Sequence, residues 1–277
     1  MSKNNSTSRI WRMTGVLSLL STLLLIAGFS FAVKDVIFPQ AAQINGIPDQ
    51  NKTGLPEEAP GSLPSDSKEL SVTAIGDSLA KGTGDDSGKG IARRTVELLK
   101  EQGAESKLVN NLGINGLTTE GLKHLLDEKG VQYSLRQADL IVLSIGGNDL
   151  FDGAQNLQSG RQLPSEQELE QSVTQASEQF AAAIAKLIEI NPQAQLVYVG
   201  LYNPFSDLPM MREIGDGAVA RWNNIVTDIL SDYEKVVMVP TFDLFAQNSA
   251  KYLASDHFHP NGTGYQIIAE RILQSAY

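Results

Sequence analysis

Three short stretches hold residue types that could do chemistry together. The first is Leu70-Ser-Val-Thr-Ala-Ile-Gly-Asp-Ser78-Leu-Ala-Lys-Gly, an extended apolar run that breaks at Gly76 and delivers Asp77 and Ser78 just past a strand end. In an α/β sheet, ligands sit in the crevice outside the carboxyl ends of the strands, so a serine there is placed to react. The competing reading is a plain turn, because Gly, Asp and Ser are all common turn residues. The second stretch is Asp256-His-Phe-His259-Pro-Asn. A serine nucleophile needs a base to take its proton and a carboxylate to hold that imidazole in the right tautomer. Asp256 and His259 are three residues apart. One turn of backbone can therefore bring the carboxylate to Nδ1 while Nε2 faces Ser78. Asp256, His257 and His259 also have a spacing that could ligate a metal ion, but that reading leaves the serine turn without a purpose. The expectation is no metal and no cofactor. The third stretch is Gly146-Gly-Asn148-Asp149, which follows another apolar run. Acyl transfer builds negative charge on the former carbonyl oxygen, and a preorganised donor such as the Asn148 amide stabilises it. An ordinary loop is the alternative there.

Two weaker signals complete the set. Asn111-Leu-Gly-Ile-Asn-Gly116-Leu-Thr-Thr carries two glycines after a short strand, which suits a loop whose backbone N–H faces a ligand. The chain has 3 histidines, and the remaining one, His124, falls in a charged helical segment that reads as surface.

The elements that must position these residues alternate between strand and helix. Besides the run at 70–76, strands are expected at 107–111, 139–145, 195–201 and 236–239. The run at 139–145 is continuously apolar after its first residue, as in a central strand covered on both faces. Helices are expected at 91–102, stopped by Gly103, at 118–128, and from about residue 263 to 273. A long helix opens at Ser165 with Glu168 as a capping box and ends at Asn191-Pro192. The stripe Ala218, Trp222, Ile225, Ile229 marks another. Strands separated by helices imply parallel βαβ units with right-handed crossovers, hence a three-layer α/β/α sandwich on a five-stranded parallel sheet.

Composition narrows the function. The formal net charge is −10, and residues 1–69 hold six Lys/Arg against six Asp/Glu, so the excess acid lies entirely after residue 69. An acidic domain without basic clusters argues against nucleic-acid binding. There are no cysteines, which excludes disulfides, thiolate metal sites and a cysteine nucleophile. At the N-terminus, residues 1–12 are polar and carry Lys3, Arg9 and Arg12, whereas 13–33 carry no charge. As a helix, such a segment spans roughly 31 Å, about the thickness of a bilayer's hydrocarbon. The charge asymmetry places the N-terminus in the cytoplasm and the remainder outside. A cleaved signal peptide with Ser30-Phe-Ala32 at the cut is the alternative, although its apolar region would be unusually long. Residues 34–69 contain Pro39, Pro48, Pro56, Pro60 and Pro64 and no apolar period. They read as a disordered linker with a reach of about 30–35 Å. The expected organisation is a cytoplasmic tail at 1–12, an anchor at 13–33, a linker at 34–69 and one domain at 70–277.

Together the motifs resemble those of the SGNH (GDSL-type) hydrolase family, over about residues 70–277 and in the family's order. Gly76-Asp-Ser78 resembles its first block, Asn111-Leu-Gly-Ile-Asn-Gly116 its second, Gly146-Gly-Asn148-Asp149 its third and Asp256-x-x-His259-Pro its last. The resemblance implies a flavodoxin-like sandwich with an open site and metal-independent ester or thioester hydrolysis. It makes Ser78 the nucleophile, His259 the base and Asp256 its orienter. The oxyanion donors it implies are the Ser78 N–H, the Asn148 amide and the N–H of Gly116, with Gly113 still open. The family spans lipases, thioesterases, lysophospholipases and carbohydrate O-acetylesterases, so the substrate is a small-molecule, lipid or glycan ester. Specificity is expected in loops 79–90, 150–164 and 202–217. In the last, Phe205, Leu208, Met210 and Met211, beside Tyr202, could line an acyl pocket or simply pack the loop onto the domain.

Overall fold

A computed structural model describes residues 68–151, 165–246 and 248–276. The expected tail at 1–12, the expected anchor at 13–33, the expected linker up to residue 67 and the expected specificity loop 150–164 from residue 152 onward lie outside the described residues. Among the described residues, no helix is long and apolar enough to cross a membrane.

Five strands form one parallel sheet: β1 (Leu70–Gly76), β2 (Ser106–Gly113), β3 (Leu140–Ser144), β4 (Gln195–Val199) and β5 (Val236–Val239), in the order β2-β1-β3-β4-β5. The continuous apolar runs exist because both faces are covered, and the two-residue period of a strand divides each run between two cores. On one face lie Ile75, Ile141, Leu143, Leu196 and Tyr198. On the other lie Val72, Ala74, Leu140, Val142, Val197 and Val199. The first core is closed by α3 (Thr119–Leu125), α4 (Lys129–Arg136), α5 (Gly147–Phe151), α6 (Glu166–Ile190) and α7 (Pro209–Ser231). In it, Phe180 packs edge-on against Tyr198 and Trp222, with ring centroids 5.0 and 5.7 Å apart. The second core is closed by α2 (Gly90–Glu101), α8 (Phe242–Ala246) and α10 (Gly262–Ala276). The expected three-layer α/β/α architecture is therefore the one observed.

Several local expectations need correction. Ser78–Lys81 is a short helix, α1, rather than open loop, and Gly147–Phe151 is the helix α5. The helix expected at 118–128 ends at Leu125, with Thr118 as its cap, and α4 follows as a separate element. The expected loop 202–217 is helical from Pro209 onward, because proline is pre-organised for the first turn. Another short helix, α9 (Ser249–Tyr252), precedes the histidine loop.

Strand order fixes where a ligand can sit. β1 lies between β2 and β3, so the chain leaves β1 toward one edge and later returns to its other side. The crevice opens at the carboxyl ends of β1 and β3, where the winding direction reverses. Ser78 follows β1 and Asn148 follows β3.

Candidate active site

Each functional side chain is held by a different local device. Gly76 ends β1 at φ 132°, and a Cβ placed there would lie 1.8 Å from the Ser144 carbonyl oxygen. Only glycine lets the two strand ends approach this closely. Asp77 then caps α1, its Oδ1 accepting from the Leu79 N–H at 3.0 Å. Ser78 is consequently the first residue of that helix, where its N–H has no intrahelical acceptor and no other acceptor among the described residues.

α5 presents Asn148 and straps down the facing loop. The Asn148 Nδ2 donates to the Leu117 carbonyl at 2.9 Å. The Asp149 carboxylate accepts from the Thr119 N–H at 3.0 and 3.1 Å and from its hydroxyl at 2.7 Å. Between them Gly116 is exposed at φ 77°, and its N–H meets no acceptor among the described residues. Gly113 differs: it ends β2, and its N–H donates to Asn111 Oδ1 at 3.0 Å. Of the two glycines left open by the sequence, Gly116 has the available donor.

The histidine loop closes on itself. Leu253 and Pro260 form an antiparallel bridge, and the Ala254 N–H donates to the His259 carbonyl at 2.7 Å. Asn261 Nδ2 ties the carbonyls of Lys251 and Leu253, both at 2.9 Å. The Tyr202 hydroxyl donates to the Phe258 carbonyl at 2.8 Å while its ring stacks on Phe245. His257 takes up the turn at φ 54° and is exposed. His259 Nδ1 lies 2.7 Å from Asp256 Oδ2, and its Nε2 lies 2.8 Å from Ser78 Oγ. Because the carboxylate accepts at Nδ1, the neutral ring presents Nε2 as an acceptor for the serine hydroxyl. Burial pushes the Asp256 carboxyl up. The His259 ring and the backbone N–H groups of His259 and Phe258 outweigh this and hold it below the usual carboxylate range. It is therefore charged wherever the imidazole needs an anionic partner.

Ser78, Asn148 and His259 face one hollow of about 40 Å³, with Phe151, Leu201, Tyr202, Pro204 and Phe258 on its apolar side. This corrects the expected acyl pocket. Phe205 and Met211, 6% and 1% exposed, belong to the core and pack the segment onto the domain; Leu208, 43% exposed, is not in the hollow's wall. Phe205 acts one layer back, its ring meeting Phe151 and Phe258 at 5.5 and 5.9 Å. Met210 lies in the first turn of α7. Sequence reasoning missed Leu201 and Phe258, and it did not single out Phe151 and Pro204 within the expected specificity loops 150–164 and 202–217. Their signal was position after β3 and β4 and within the histidine loop, which outweighs apolar content alone. His124 is exposed, as expected. Among the described residues, no group of three or more His, Asp or Glu side chains could hold a metal ion.

The sequence profile of the GDSL-like Lipase/Acylhydrolase family matches residues 74–267, a span that takes in the serine turn and the histidine loop. The chain belongs to that family. It is 35% identical over 210 residues to the YpmR protein of Bacillus subtilis, covering 74% of this chain and 80% of that one. It is 24% identical over 213 residues to the spore germination lipase LipC of Bacillus licheniformis, covering 75% and 97%. Among solved structures, the lipase Lip_vut3 from a goat rumen metagenome shares the fold at a TM-score of 0.64 and 23% identity, covering 74% and 96%. Family members are esterases and lipases, and this chain is a carboxylic ester hydrolase of the acylhydrolase type.

Proposed function

We propose that this GDSL-family hydrolase cleaves esters through an acyl-enzyme formed on Ser78. Ser78 Oγ attacks the acyl carbon as His259 Nε2 takes its proton. The imidazolium, stabilised by Asp256, returns that proton to the leaving alcohol. Water then repeats the sequence and frees the acid. The N–H groups of Ser78 and Gly116 and the Asn148 amide hold the negative oxygen. The observation that carries this reading is the continuous contact from Asp256 Oδ2 through the His259 ring to Ser78 Oγ, at 2.7 and 2.8 Å. A fluorophosphonate probe should label the full-length wild type and fail to label Ser78→Ala. A wild type that resists the probe would return the domain to a non-catalytic binding role.

The substrate side of the proposal is an acyl ester met outside the cytoplasmic membrane, with residues 13–33 as anchor and 34–69 as tether. The support is the uncharged stretch at 13–33 and the basic residues before it. A second reading, an O-acetylesterase acting on envelope polysaccharide, is favoured by the small hollow of about 40 Å³ beside Ser78. Turnover of acetyl against octanoyl esters separates the two. Faster acetyl turnover selects the acetylesterase, and faster octanoyl turnover selects a lipase-like acylhydrolase.

A further inference from the structure

Among the buried ionisable groups that the mechanism leaves without a task, one adjoins the nucleophile itself. Asp77 directly precedes the nucleophile, is 4% exposed, and borders the same hollow as Ser78, Asn148 and His259. Its contacts run to two elements. Toward α1, Oδ1 accepts from the Leu79 N–H at 3.0 Å, and its carbonyl accepts from the Lys81 N–H at 3.1 Å. Toward β3, the same Oδ1 accepts from the Ser144 hydroxyl at 2.9 Å, and the Asp77 N–H donates to the Ser144 carbonyl at 2.9 Å. Ser144 is fully buried and ends β3, two residues before the Gly146-Gly147 turn that launches Asn148. One residue thus grips, by main chain and side chain together, the point from which the amide donor departs, while capping the helix that carries the nucleophile.

We propose that Asp77 is a positioning residue for ester hydrolysis: its carboxyl locks the turn bearing Ser78 to the strand end bearing Asn148 and so sets the distance between nucleophile and oxyanion donor. This rests on the reading of Ser78 as nucleophile. A positioning clamp matters because small misplacements of reacting groups cost rates by orders of magnitude. Its hydrogen-bond donors are neutral, and an amide oxygen at the same place could accept both bonds.

The clamp has a charge requirement that separates it from simple packing. The titratable groups facing it are Asp149 from α5, Tyr198 and Tyr202 from β4 and the segment after it, Tyr265 from α10, and His259 across the hollow. The charged residue of α1 itself, Lys81, is exposed. Burial pushes the Asp77 carboxyl up to about 7, against the bonds from Ser144, Leu79 and Ala80, and the Asp149 charge adds to the rise. Below that pH the clamp is neutral. Above it, a negative charge stands in the hollow where the oxyanion must form, and the rate falls.

The test compares full-length wild type, Asp77→Asn, Asp77→Ala and Ser144→Ala on an acetyl ester, with active sites counted by fluorophosphonate titration. Asp77→Ala should lower kcat per titrated site by roughly 10- to 100-fold with KM little changed. Asp77→Asn should keep most of the kcat at pH 6 and lack the wild type's decline above about pH 7. Ser144→Ala, which breaks only the side-chain bridge, should lose several-fold in kcat and decides the matter should Asp77→Ala not fold. Wild-type kcat per site in Asp77→Ala or in Ser144→Ala, or an alkaline decline that persists in Asp77→Asn, would overturn the clamp alone. Absence of labelling in the wild type would instead remove the serine-esterase reading and the clamp with it.

Discussion

At the scale of single residues, the proposed mechanism divides its work between groups that would meet the substrate and groups that aim them. Asn148 is placed for both: its side chain borders the hollow and also holds the Leu117 carbonyl, next to Gly116. Asn148→Ala should therefore lower kcat by about 10²–10³, the usual cost of one lost oxyanion donor. Steady-state kinetics on the folded variant checks this, and an unchanged kcat would remove Asn148 from the site. Asp256 offers a pH test of its own. Its folded carboxyl is held below the ordinary value, so its stabilising contribution is present above pH ~4 and is lost as pH falls through the folded value. The Tm difference between wild type and Asp256→Asn should be largest near neutrality and shrink below about pH 4. A difference independent of pH would show that the carboxylate's charge contributes nothing to the fold.

At the scale of elements, the strands could be read from the chain because burial on both faces forces long apolar runs, and β3 and β4 show it residue by residue. The long helix α6 was equally legible: Ser165 and Glu168 form the expected reciprocal cap, and Leu169, Val173, Phe180, Ile184 and Leu187 share its buried stripe. The short helices were not. α1 has 4 residues and α5 has 5, too few for any periodicity to show. Asp77 caps the first, and the second begins just after Gly146, which turns the chain at φ 111°. The segment 202–217 was only half legible for a related reason: its apolar content served two destinations that composition cannot separate, with Tyr202 and Pro204 at the hollow and Phe205 in the core. Met211 went to the core, so Met211→Ala should cost about 2–5 kcal/mol of stability and leave the acetyl-to-octanoyl preference unmoved. Denaturant melts together with a chain-length series check both halves. A changed preference without lost stability would restore Met211 to the acyl site.

At the scale of the molecule, an acidic hydrolase domain follows an uncharged stretch and a proline-rich stretch. An acidic surface gains nothing from anionic headgroups, so attachment would depend on residues 13–33. Full-length protein expressed in cells should remain with membranes after an alkaline carbonate wash, and its C-terminal domain should be open to protease added outside. Release by the wash, or protection from external protease, would count against the anchor or its orientation. The sequence alone determined which groups could react, since a serine after a strand, an Asp and a His three apart and a Gly-Gly-Asn turn each carry their chemistry in residue type. It also determined the layered architecture, because apolar period is a local property of the chain. The tertiary structure decided the rest: that β1 lies between β2 and β3, that Gly116 rather than Gly113 keeps a donor to spare, and that Phe151, Leu201 and Phe258 make the wall beside Ser78. Those outcomes depend on contacts between segments far apart in the chain, and no local pattern encodes which distant partner occupies a hydrogen bond or fills a space.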